Sequence, residues 1–146
     1  MKINTKKLLL SVSSIILGSF IYIFWRPENL IIFNWLKELH IYNFIINLRN
    51  TTRPLSTFFP NWSYYSLPNG LWLFGGIIFF STIWDSKKYQ FQQLLWTTIF
   101  LIIAFGFELA QYFSIIPGTY DINDILFIII GCLVSTVFIK INFFRR

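Results

Sequence analysis

Glu108, Gln111, Asp121 and Asp124 fall within "FELAQYFSIIPGTYDINDILFIIIG", residues 107–131, a stretch otherwise built mainly from large apolar side chains. Three carboxylates stand close together there with no basic residue among them. Glu108 and Gln111 are three positions apart, so on a helix they share a face, with Ala104 one turn earlier leaving room for a neighbour. Carboxylates in this setting can accept an arginine, hold a hard cation, act as acid or base, or receive the donors of a polar head group. A metal is the weakest of these readings. Asp121 and Asp124 have the spacing of a helix N-cap and an acid at N3, where they also suit the positive end of the helix dipole. No metal or cofactor is expected. His40 is far off in sequence and Cys132 is alone, which leaves no Ser–His or Cys–His pairing and no internal disulfide.

The surroundings of these residues define their solvent. Of the 146 residues, 55% are hydrophobic and only 12% charged, too little polar surface for a soluble domain of this size. The apolar residues come in blocks long enough to cross a bilayer. The fold class expected is therefore all-α, an integral membrane helical bundle in one domain. Its four spans are expected at about residues 8–25, 67–84, 91–116 and 122–138. The first follows Lys2, Lys6 and Lys7 and ends at Trp25, Arg26 and Pro27. It is too long for a signal-peptide core and lacks a small-residue cleavage site, so it reads as a retained span. Small residues spaced four apart (Ser14 and Gly18, Gly106 and Ala110, Gly131 and Ser135) allow close helix packing, hence a compact bundle without a wide pore.

Residues 29–48 are apolar yet carry Lys37, Glu38 and His40 in their middle. Each charge costs roughly 2.5–3.5 kcal/mol near the bilayer centre. Asn34, Lys37 and Glu38 share one helical face while His40, Asn43 and Asn47 share another. Two short interfacial helices fit this shift, with a broken extra span as the alternative. Orientation follows from the basic residues. With the N-terminus inside, eight Lys and Arg fall on the inner side and four on the outer, Arg26, Lys37, Arg49 and Arg53. Both termini are then cytoplasmic, and the protein lies in the cell membrane. Its net charge of +6 sits chiefly at the inner leaflet and calls for no nucleic-acid partner.

In this arrangement Glu108 lies about 12 Å below the outer end of the third span, counting eight residues to Pro117. An ionisable group at that depth marks a functional site or hydrogen-bonds across to another helix. Three acids need a cation, and Arg49 or Arg53 is expected to close an outward-facing pocket formed by Glu108, Gln111, Asp121 and Asp124. Arg53 precedes Pro54, which favours an extended backbone able to reach over the turn.

The stretch resembles the C-terminal signature of the VanZ-like family of small bacterial membrane proteins. That signature has a Glu and a Gln late in one span, a Pro-Gly turn, an Asp pair and a later Gly. Glu108, Gln111, Pro117, Gly118, Asp121, Asp124 and Gly131 fall on it, within residues 104–136. Two positions depart: Thr119 stands where the family usually has Arg, and Ile128 where it has Asn. The resemblance implies a cell-envelope setting and a link to low-level resistance to the glycopeptide teicoplanin. The function expected is non-catalytic binding of a membrane lipid, a lipid-linked cell-wall precursor or a partner membrane protein. The alternatives are an enzyme acting on an envelope lipid with Glu108 as acid or base, and a structural subunit.

Overall fold

The computed structural model describes residues 4–116 and 120–144 of the chain. Pro117, Gly118 and Thr119, the proposed turn and one of the departures from the family pattern, lie outside them, as do Lys2, Arg145 and Arg146. The described residues are helical, without strands. Four helices are long and apolar enough to cross a membrane, so the chain is a multi-pass helical membrane protein.

Helix α1 spans Thr5–Trp25, opened by the Asn4 side chain, which accepts a hydrogen bond from the Lys7 amide. Pro27 stops it by holding Arg26 in an extended conformation. Two short helices follow, α2 (Ile31–Glu38) and α3 (Tyr42–Thr52). At 1.5 Å per residue, helices of 8 and 11 residues reach only about 12 and 16 Å, short of ~30 Å of hydrocarbon. The break between them falls at His40, whose positive φ of 58° closes a Schellman turn in which the Ile41 amide donates to the Leu36 carbonyl. A 3-10 turn (Arg53–Phe58) and the single-turn helix α4 (Trp62–Tyr65) lead into α5 (Leu67–Ile83), which starts with proline in its first turn. Helices α6 (Gln90–Tyr112) and α7 (Ile122–Phe144) complete the bundle.

Helix α5 is the centre. Its buried positions include Gly70, Leu73, Gly75, Gly76, Ile77, Ile78, Ser81 and Thr82, which cover all its sides, as expected of an apolar helix enclosed by others. It runs antiparallel to α1, where the Ser11 hydroxyl donates to the Gly75 carbonyl at 2.8 Å and the Trp72 indole N–H donates to Ser19 Oγ at 3.1 Å. Helix α7 lies parallel to it and crosses at Gly70 and Gly131. Leu73, Ile77 and Ile128 form the core, with Phe100 and Ala104 of α6 packed against them. Ile128, the second departure from the family pattern, is thus a core residue.

The small-residue reading holds in two places and fails in one. Gly18 lies beneath the Trp72 ring, and Gly131 sits on the α5 backbone. Gly106 has nothing within 4 Å of the position its Cβ would take. Helix α6 is peripheral, and its Gly106 side faces away from the bundle.

Candidate functional site

The alternation of four spans brings the end of α1, the start of α5, the end of α6 and the start of α7 to one end of the bundle. Polar side chains collect there. Glu108 is 6% exposed, while its neighbours Phe107 and Leu109 are 57% and 52% exposed. The carboxyl group therefore points into the protein from a helix that otherwise faces outward. Helix α6 stops at Tyr112, not at Ile116 as expected, in a Schellman turn that places Ser114 at φ 56°. Glu108 consequently lies about 6 Å, one turn, below the helix end and not about 12 Å.

Asp121 acts as the cap of α7. Its Oδ1 accepts hydrogen bonds from the Asn123 backbone N–H at 2.9 Å and side-chain amide at 3.0 Å. Asp124, in the first turn, is buried and faces the side chains of Ser66 and Asn69 at the start of α5. Glu108 and Asp124 are close enough to act on each other electrostatically, and Asp121 acts on both. Gln111 follows Glu108 on the same face and is half-buried.

The cation beside these acids is Arg26, from the end of α1. Its guanidinium donates to the Tyr65 carbonyl at 2.8 Å and lies 5.2 Å from the ring centres of Tyr22 and Tyr65. Four polar atoms in this group are buried without a hydrogen-bond partner among the described residues: Glu108 Oε2, Asp124 Oδ1, Ser66 Oγ and Arg26 Nε. Two acceptors, a hydroxyl and a donor thus lie buried at the same end of the bundle. Leaving such atoms unpaired costs about 1–3 kcal/mol each, so the arrangement suits a ligand carrying both donors and acceptors.

Neither arginine expected to close the site does so. Arg49 is buried under the end of α1, where it donates to the carbonyls of Ile23 and Arg26, the latter at 2.8 Å. Its guanidinium also lies 3.8 Å from Glu28 and 4.8 Å from the centre of the Phe33 ring. The physical reason is the orphan carbonyls of the last turn of α1, which a forked guanidinium can satisfy in pairs. Burial lowers the pKa of Arg49 from its usual value, against the opposing effect of Glu28. Glu28 in turn accepts from the Tyr42 hydroxyl at 3.0 Å, and that hydrogen bond raises the tyrosine's pKa. Arg53 is exposed, and its backbone is helical (φ −54°, ψ −40°) and not extended, because its N–H continues α3 by bonding to the Arg49 carbonyl.

Ser66, Asn69 and Arg26 were not singled out by sequence reasoning. The signal was present, since each stands at a helix end that the alternation of spans carries to the side of Glu108. Compared with known proteins, the chain matches no family model, no curated protein and no solved structure.

Proposed function

We propose that the protein is a VanZ-like component of the bacterial cell envelope that binds a lipid-linked or cell-wall head group between Glu108, Asp124, Ser66 and Arg26. Both termini lie in the cytoplasm, so the site opens on the outer face, where such head groups are found. The observation that supports this reading most is the gathering of four buried, unpartnered polar atoms from α6, α7 and the residues just after α1 and just before α5. The carboxylates would take ammonium or sugar hydroxyl groups, and Arg26 would take a phosphate or carboxylate. Gln111 and Asp121 stand at the margin, one on the Glu108 face and the other holding the first turn of α7. Arg49 and Arg53 are left out of the pocket itself.

The test is lipid retention. Wild-type protein and a Glu108→Gln/Asp124→Asn variant are purified from bacterial membranes in mild detergent and compared by native mass spectrometry. A lipid with an amino or sugar head group should remain on the wild type and be lost from the variant. Identical lipid complements on two equally folded proteins would refute the reading. Teicoplanin susceptibility of cells expressing either form tests the link to resistance. The acid–base alternative predicts turnover of the retained lipid by the wild type and none by Glu108→Gln.

A further inference from the structure

A recess with a mainly apolar wall and a few polar side chains lies at the opposite end of the bundle, between the start of α6 and the far ends of α5 and α7. It has a volume of about 380 Å³, within the roughly 300–1,000 Å³ of small-molecule sites. Its wall divides by chemistry. Lys140, Gln90, Gln93 and Thr97 supply a charge and donors, while Ile77, Leu94 and Ile139 supply an apolar floor. The Thr136 hydroxyl proton is already given to the Cys132 carbonyl, so its oxygen can only accept. Gln90 also begins α6, directly after a 3-10 turn (Lys87–Tyr89), which places the positive dipole end of a 23-residue helix beside the recess. Lys88 lies two positions before it, stacked 5.4 Å from the Tyr89 ring centre. The acid of this connection, Asp85, already interacts with a neighbour. Trp84 and Trp96 stack nearby with centroids 6.2 Å apart, the aromatic pairing found at the level of head groups.

We infer that this recess holds the head group of an anionic glycerophospholipid, its phosphate on Lys140 and the start of α6, and its chains running down the exposed apolar side of α6. Basic recesses between spans recruit such lipids because a cation, the positive end of a helix and an apolar wall meet all parts of the molecule at once. The occupant is taken to be a lipid and not a free anion, since the floor is apolar and Phe91 and Leu94 beside it are 71% and 66% exposed. The site is independent of the Glu108 group and stands or falls separately.

The experiment titrates the full-length protein in detergent with phosphatidylglycerol, phosphatidylcholine or inorganic phosphate and counts bound molecules by native mass spectrometry. Phosphatidylglycerol should bind more tightly than phosphatidylcholine, and Lys140→Gln should weaken it about fivefold. Gln93→Leu, which removes an amide donor without altering charge, should weaken it too. Lys37→Gln, at the other end of the bundle, should leave it unchanged. Equal affinity for the two lipids, no loss on Lys140→Gln or on Gln93→Leu, or an equal loss on Lys37→Gln would overturn the inference. So would inorganic phosphate competing fully with the lipid, which would make the site one for free anions.

Discussion

A Cβ placed on Gly131 would fall 2.5 Å from the carbonyl oxygen of Gly70, so the backbones of α5 and α7 touch where these two residues cross. The contact does more than pack two helices. Asn69 precedes Gly70, Ser66 lies one turn earlier, and Asp124 lies two turns before Gly131 on the partner helix. The crossing therefore fixes how closely Ser66 and Asn69 stand to the Asp124 carboxyl group.

Gly131→Ala should consequently destabilise the protein by about 1–3 kcal/mol, the usual cost of overpacking, because the atom it meets is backbone and cannot rotate away. Gly106→Ala should be neutral or stabilising by up to about 1 kcal/mol, through helix propensity alone. Unfolding by dodecyl sulfate in mixed micelles, followed by circular dichroism, compares the two. Equal losses at both positions would mean that the crossing does not carry the packing of the bundle.

Much of this architecture was legible in the sequence, for a physical reason. Span length is set by the bilayer, and the four apolar blocks match helices α1, α5, α6 and α7 closely. The break of residues 29–48 into two short helices was readable from the change of polar face at His40. The partners of the buried charges were not. Arg49 and Arg26 both follow α1 on the same side, and only the three-dimensional placement of the free carbonyls of α1 shows that Arg49 is drawn to them while Arg26 is left for the acids. The early stop of α6 was hidden because Phe113, Ile115 and Ile116 continue the apolar run beyond the last helical turn.

Arg49 should matter for how the short helices α2 and α3 attach, separately from any ligand. Arg49→Ala removes the charge-assisted hydrogen bonds that tie α3 to α1 and should cost on the order of 2–4 kcal/mol. Arg49→Lys keeps the charge but loses the fork, so it should recover only part of that. Hydrogen exchange should speed up in residues 31–52 of both variants and little elsewhere. Uniform acceleration across all four spans would show that Arg49 supports the whole bundle and not this attachment.

Four crossings would put both termini on one side, and the distribution of Lys and Arg predicts that this side is the cytoplasm. A C-terminal alkaline phosphatase fusion should be inactive and a C-terminal green fluorescent protein fusion bright. Cysteines introduced at Lys37 and Asn47 should both react with a membrane-impermeant maleimide from outside. An active phosphatase, or labelling of the two positions from opposite sides, would overturn the orientation and the outward-facing site with it.

The last prediction concerns the charge balance of the site. Arg26 lies within electrostatic reach of both Glu108 and Asp124, and no other arginine among the described residues takes its place, since Arg49 is bonded to the end of α1 and Arg53 is exposed. Arg26→Gln would leave the two acids without their cation, and Asp124→Asn would remove one of the acids that the cation balances. Each change alone should destabilise the protein, but the pair should cost less than the two added together. The coupling expected between residues of one network is about 0.5–3 kcal/mol. The same cycle run with Arg53→Gln and Asp124→Asn should give no coupling. Zero coupling for Arg26, or a larger value for Arg53, would show that the acids are balanced from elsewhere and would remove Arg26 from the site.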